Sequence, residues 1–186
     1  MRGDASGPGA VRILAGRWKG RRLDVPAGAR PTSGRARAAL FDLLGTRIAG
    51  ASVLELYAGS GAVGLEAVSR GARAAVLVEP DGTAITRSLA RLSPAPGEVV
   101  LLAVRAESAI PALGRRAERF DIVFADPPYA VRPDPDALAA AAGLLSAEGV
   151  LALQQDSASE TAAIPGMALL ERRAYGRNVF LFFAMR

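Results

Sequence analysis

The residues best suited to chemistry lie in two short segments of the chain. The first is Glu55-Leu-Tyr57-Ala-Gly59-Ser60-Gly61-Ala-Val-Gly64. It follows an apolar run and opens a helical pattern, the setting in which a glycine-rich loop lets a cofactor approach the backbone. Glycines at this spacing also match a dinucleotide fingerprint or a plain turn. Two acids narrow the reading. Glu55 precedes Gly59 by four residues, and Glu79 ends the next apolar run, fifteen residues after Gly64. Both are expected to point into the crevice at the strand ends. A carboxylate at Glu79 can accept both ribose hydroxyls, and one at Glu55 can reach the amino end of a cationic, phosphate-free cofactor. That profile suits S-adenosylmethionine better than NAD, whose pyrophosphate an acid beside the loop would oppose. Asp81 either joins this site or caps the next helix. Glu107 is the nearest acid able to face an adenine amino group, or else a first-turn helix acid. Tyr57 is core or cofactor wall, and core is the commoner place for an aromatic near a strand end.

The second segment, FDIVFADPPYA, sets Asp126-Pro127-Pro128-Tyr129 directly after an apolar strand. An exocyclic amine on a purine is a poor nucleophile because its lone pair is delocalised into the ring. Asp126 and the Pro127 carbonyl, two acceptors on a stiff turn, can bind both amine hydrogens and favour a pyramidal nitrogen. Tyr129 offers a face on which a flipped-out base can stack, worth on the order of 1–3 kcal/mol. The plain alternative is a rigid loop, since Asp and Pro also make turns.

Composition limits what else the chain can do. It has 186 residues, 51% hydrophobic, enough for one globular core with a small appendage. It has no histidine and no cysteine, which excludes thiol nucleophiles, an imidazole base, disulfides and Cys/His zinc sites, so no metal is expected. The N-terminal ten residues form a small, polar, flexible tail with no apolar run for a signal or membrane span, so a cytoplasmic protein is expected. Residues 1–50 hold ten Lys and Arg against three acids, while the remainder holds thirteen against fifteen. The basic excess is therefore N-terminal. Arg12, Arg17, Lys19, Arg21, Arg22, Arg30, Arg35 and Arg37 suit a polyanion, because each neutralised phosphate releases counterions.

These residues need a framework. Residues 11–25 predict two short strands around a turn near Trp18–Gly20, with Val11, Ile13, Leu23 and Val25 inward. Thr32 or Ser33 can cap a helix burying Ala36, Ala39, Leu40, Leu43 and Leu44, its other face carrying Arg35 and Arg37. From residue 52 apolar strands alternate with helices (about 62–70, 82–92, 108–113 and 135–145), which predicts an α/β domain over 51–186 with a mostly parallel sheet. Strands near 168–173 and 178–184 can close it as an antiparallel pair.

On these motifs the chain resembles the class I methyltransferases, a Rossmann-like fold, and more closely the RsmD-type family of small-subunit (16S) rRNA guanine-N2 methyltransferases. The likeness runs through Arg12-Ile-Leu-Ala-Gly-Arg-Trp-Lys-Gly-Arg-Arg-Leu, Arg30-Pro-Thr, Arg35-Ala-Arg-Ala-Ala-Leu-Phe, the Glu55 to Ala67 segment, Val78-Glu79 and Asp126-Pro-Pro-Tyr. It implies a seven-stranded sheet ordered 3-2-1-4-5-7-6 with helices on both faces, S-adenosylmethionine as methyl donor (leaving S-adenosylhomocysteine), and an extension over 11–50 that docks rRNA or an assembling 30S subunit. The family usually has Asp at Glu55, Glu at Ala38, and Asp-Ala where Arg105-Ala-Glu107-Ser stands. Glu keeps the carboxylate, whereas the last change leaves adenine recognition open. The competing readings are an adenine-N6 or glutamine-N5 methyltransferase with the same amine grip, a non-catalytic RNA-binding module, and an NAD-dependent oxidoreductase. The last lacks a Tyr-x-x-x-Lys pair, since Lys19 is the only lysine. A monomer is expected.

Overall fold

The computed structural model describes residues 11–28, 32–127, 134–161 and 163–186. The N-terminal tail, Arg30 and Tyr129 lie outside the described residues. Strands β1 (Val11–Arg12) and β2 (Arg22–Leu23) pair antiparallel as the expected hairpin and bury Val11, Ile13, Trp18 and Leu23. Helix α1 (Gly34–Leu44) follows, its N-terminus capped by Ser33, whose Oγ accepts from the Ala36 amide at 3.2 Å. Then come β3 (Ser52–Leu56), α2 (Ala62–Ser69), β4 (Ala74–Val78), α3 (Thr83–Leu92), β5 (Val99–Leu102), α4 (Ala106–Arg115), β6 (Phe120–Ala125), α5 (Pro135–Ala142), β7 (Leu145–Asp156), β8 (Met167–Tyr175) and β9 (Asn178–Met185).

The seven strands β3 to β9 form one sheet in the order β5-β4-β3-β6-β7-β9-β8. Counted from β3, this is the 3-2-1-4-5-7-6 order that the resemblance implies. β3 to β7 run parallel, and β9 enters antiparallel between β7 and β8. The fifth helix stops earlier than its composition suggests: α5 ends at Ala142, and Leu145 already pairs with Phe120 as strand.

Because successive side chains of a strand face opposite ways, β3 feeds two cores. Val53 joins one with the hairpin, α1 and α2, while Leu54 and Leu56 join the other with α4 and α5. Glu55 therefore shares the face that carries α2. Residues 11–50 are built into the first core, since Leu40, Phe41 and Leu44 of α1 pack there with β3 and α2.

The burial of α1 overturns one expectation. Arg37 does not stand beside the exposed Arg35; its side chain is 2% exposed. Its Nε donates to Glu66 of α2 at 3.0 Å and its guanidinium also reaches the Arg12 carbonyl. Glu66, fully buried, is shared with Arg70 at 2.8 Å. Arg37 is thus a structural cation locking α1 to α2, and breaking such a pair by deleting one partner costs about 3–5 kcal/mol. No helix among the described residues is long and apolar enough to cross a membrane.

Candidate active site

The parallel sheet is wound in opposite directions from β3 and β6, so a crevice opens between their C-terminal ends. Leu56 of β3 is paired with Ala125 of β6. The next residues, Tyr57 and Asp126, therefore leave the sheet side by side, which brings the glycine loop and the Asp-Pro loop to one place.

The loop turns at Ala58–Gly61, where the Gly61 amide donates to the Ala58 carbonyl at 2.7 Å. Two glycines are required for different reasons. Gly59 has φ +54, and nothing lies within 4 Å of a Cβ built there, so its backbone opens onto the crevice. A Cβ at Gly64 would meet Leu77 at 2.3 Å, so only hydrogen lets α2 pack this closely on β4. Ser60 is buried within the turn. Tyr57 takes φ 58, a left-handed conformation costly for an aromatic residue, directly before the loop. Its ring is half-buried against the second core and its hydroxyl donates to Glu107 Oε1 at 3.4 Å. The structure shows the core reading, a ring packed on the second core with its polar end toward Glu107. Glu107 itself is exposed in the first turn of α4.

The acids divide their labour differently from expectation. Glu55 is 3% exposed and spends both oxygens on α2, accepting from Gly64 N at 2.7 Å and Val63 N at 3.3 Å. This corrects the reading in which it faces the amino end of a cofactor. It holds the loop instead, occupying the amide groups a helix start leaves unpaired. Glu79, half-buried at the end of β4, reaches across to accept from Gly59 N at 2.8 Å and from Asp81 N at 3.3 Å. A carboxylate has about four acceptor positions, so Glu79 retains capacity for hydroxyls beside the open Gly59. Asp81 is exposed, one residue ahead of Gly82 at the N-cap of α3, and its Oδ1 accepts from Thr83 N at 3.2 Å where the helix begins.

Burial pushes the Glu55 carboxyl up to about 8, against the pull of the two amides and Arg37, with Asp126 adding a smaller push upward. An unfolded Glu titrates near 4.3. Between those values the folded chain holds a proton that the unfolded chain has lost. The stability Glu55 contributes is therefore present below about pH 4 and lost as pH rises through 8. Urea unfolding of the parent is expected to weaken from pH 5 to pH 9 more steeply than that of Glu55→Gln. Equal slopes would show that Glu55 does not titrate in this window.

Asp126 is held from the N-terminal extension. Thr32 Oγ1 donates to Asp126 Oδ2 at 3.1 Å and lies 3.4 Å from the buried Gln154 Oε1 on β7. Gln154 Nε2 in turn donates to Asn178 Oδ1 of β9 at 3.3 Å. Burial pushes Asp126 up to about 6, with the Thr32 hydrogen bond pulling the other way. Pro127 is buried beside it. Sequence reasoning missed this chain of Thr32, Gln154 and Asn178. It offered Thr32 or Ser33 as the helix cap, of which Ser33 fills the place, and the available signal for the chain was a polar Gln154-Gln155 pair ending an apolar strand.

The expected exposed cations are distributed over the hairpin and, for Arg35, the start of α1. Arg17, Lys19, Arg21, Arg22 and Arg35 are exposed and Arg12 is partly so. The hairpin tip docks on the far end of α2, with the amides of Arg17 and Trp18 donating to the Ser69 carbonyl and hydroxyl at 2.9 Å. Ser69 is seven residues along α2 from Ala62, about 10 Å from the glycine loop by helical rise. Arg17 also bridges to Glu98 at 2.6 Å, its guanidinium over the Trp18 ring.

The family model for conserved hypothetical protein 95 matches residues 11–184. The ribosomal RNA small subunit methyltransferase D of Escherichia coli strain K12 is 41% identical over 129 residues, 67% of this chain and 63% of that protein. The match thus spans less than two thirds of that relative. Among solved structures, yhhF of Escherichia coli is similar with a TM-score of 0.81 at 30% identity, covering 96% of this chain and 99% of that one. A hypothetical protein of Thermus thermophilus gives a TM-score of 0.81 at 38% identity, covering 94% of this chain and 99% of that one.

Proposed function

The chain belongs to the RsmD-type family, matched over residues 11–184, and on that premise we propose that it methylates the exocyclic N2 of a guanine in bacterial small-subunit (16S) ribosomal RNA, with S-adenosylmethionine as donor. The observation carrying the reading is the pairing of Leu56 with Ala125, which sets an open glycine loop beside an oriented aspartate. The residues present fit the cofactor: Gly59 leaves room at the loop, Glu79 is the acceptor for ribose hydroxyls, and Tyr57 with Glu107 borders the side where an adenine would lie. Bound there, S-adenosylmethionine supplies a methyl group already activated on a sulfonium.

The chain's own residues then have little to do but position. Asp126 and the Pro127 carbonyl accept the two amine hydrogens and turn the nitrogen lone pair out of conjugation. Asp126, drawn up toward neutrality by burial, takes the proton that the amine gives up. Tyr129 stacks on the base. Arg12, Arg17, Lys19, Arg21, Arg22 and Arg35 bind phosphates, and the hairpin tip among them lies at the far end of α2 from the glycine loop, which favours a folded RNA or an assembling 30S subunit over a free nucleoside. The chain acts as a cytoplasmic monomer.

The test is transfer of labelled methyl from S-adenosylmethionine to small subunits from cells lacking the protein, followed by nucleoside analysis. N2-methylguanosine is the expected product. Label in N6-methyladenosine, or in protein, would overturn the guanine assignment.

A further inference from the structure

Asp126 must be an acceptor before transfer and a proton carrier after it, and its local partners suit both. Among the described residues, the hydrogen bond to its side chain comes from Thr32, at Oδ2 and 3.1 Å. Thr32 belongs to neither strand of the crevice. It stands two residues before α1, whose first turn Ser33 caps and whose body is fixed to α2 through Arg37 and Glu66. A hydroxyl has a single proton, and this one has two acceptors in reach, Asp126 Oδ2 and Gln154 Oε1 at 3.4 Å. Gln154 is 1% exposed and donates to Asn178, so its amide oxygen is held toward Thr32.

We propose that Thr32 is a positioning residue for methyl transfer, its hydroxyl holding Asp126 Oδ2 so that Oδ1 is left to the substrate amine, and turning to Gln154 Oε1 when Asp126 becomes neutral. The inference rests on the amine-methylation reading. In the transfer step the amine nitrogen forms a bond to the methyl carbon, the carbon–sulfur bond breaks with its electrons staying on sulfur, and the nitrogen's excess proton passes to Asp126. A neutral acid accepts hydrogen bonds more weakly than a carboxylate, so the Thr32 proton then favours the amide oxygen. Proton release to solvent restores the first arrangement. The charged groups around Asp126 do not replace this role. Glu55 on β3 is turned to the amides of α2, and Arg37 on α1 is spent on Glu66.

The experiment compares the parent chain with Thr32→Val, which keeps shape and loses the hydroxyl, and Thr32→Ser, which restores it. Thr32→Val is expected to lower kcat by about 10- to 100-fold, the effect of one hydrogen bond to a charged group, with KM for S-adenosylmethionine unchanged. Thr32→Ser is expected to recover to within about threefold of the parent. Carbon-13 NMR titration of the Asp126 carboxyl supplies a readout that needs no turnover: Thr32→Val moves its midpoint above the parent's, because a bond favouring the carboxylate is gone. An unmoved midpoint, or a Thr32→Ser chain as slow as Thr32→Val, overturns the proposal. A parent chain that transfers no methyl to any RNA, yet whose Asp126 midpoint moves in Thr32→Val, overturns the methylation reading and leaves Thr32 as the group orienting Asp126.

Discussion

An Asp126→Ala chain is expected to bind S-adenosylmethionine within about twofold of the parent while transferring methyl at least roughly 10³-fold more slowly, the loss expected when both an electrostatic acceptor and a proton acceptor disappear. The separation follows from where the residue sits. Asp126 leaves β6, whereas the open backbone at Gly59 and the Glu79 carboxylate belong to β3 and β4. Among the described residues, the hydrogen bond of the Asp126 side chain goes to Thr32 and not to the glycine loop. Asp126→Asn keeps one acceptor oxygen but cannot take a proton, so its loss is expected to be smaller, about 10²-fold. The parent's pH profile should carry the same residue's signature. The amine is gripped by the ionised carboxylate, and burial sets that ionisation near 6. Activity therefore rises with pH through about 6 and levels off above it. Calorimetric titration with S-adenosylmethionine beside single-turnover transfer separates the two effects. Equal loss of both in Asp126→Ala would show that the residue holds the loop and not the amine.

The strand–helix alternation and the two crevice loops could be anticipated because each rests on local pattern: apolar runs alternating with helices, glycines after one strand, Asp-Pro-Pro after another; the order of the strands came only with the family resemblance. What sequence could not supply was which side-chain oxygen faces which amide. Glu55 and Glu79 both read as acids facing the cofactor, one at its amino end and one at its ribose. Only the alternation along β3 puts Glu55 on the buried α2 face, and only the lateral displacement of β4 lets Glu79 reach back to Gly59. Arg37 failed for the same reason. Two residues from the exposed Arg35, it looked like part of one basic face, but a 100° step per residue turns it inward onto Glu66. Thr32 and Gln154 lie 122 residues apart and meet only once α1 has packed into the first core.

Glu79→Ala should do the reverse of Asp126→Ala and lose cofactor affinity first. Its carboxylate is the acid left with acceptor capacity at the open part of the loop once Glu55 is committed to α2. Two ribose hydroxyls on a charged acceptor contribute enough that deletion is expected to weaken S-adenosylmethionine binding by about 10²-fold or more. Glu79 also accepts from Gly59 N, so part of the loss comes through the loop's own position. Glu79→Gln separates these parts. Its amide oxygen can still serve Gly59 N while the charge is gone, and an intermediate loss of about 10-fold is expected. At saturating cofactor, the transfer rate of Glu79→Ala should return to within about fivefold of the parent, since the amine-binding group is untouched. Asp81→Ala provides the contrast. Its exposed side chain accepts from Thr83 N at the start of α3, so its loss should leave cofactor affinity within about twofold. If Glu79→Ala bound as tightly as the parent, the ribose assignment would fall and the carboxylate would be a brace for Gly59 alone. A collapse of the transfer rate even at saturating cofactor would instead mean that the Gly59 loop and the Asp126 loop are coupled across the β3–β6 crevice, beyond what their separate hydrogen bonds require.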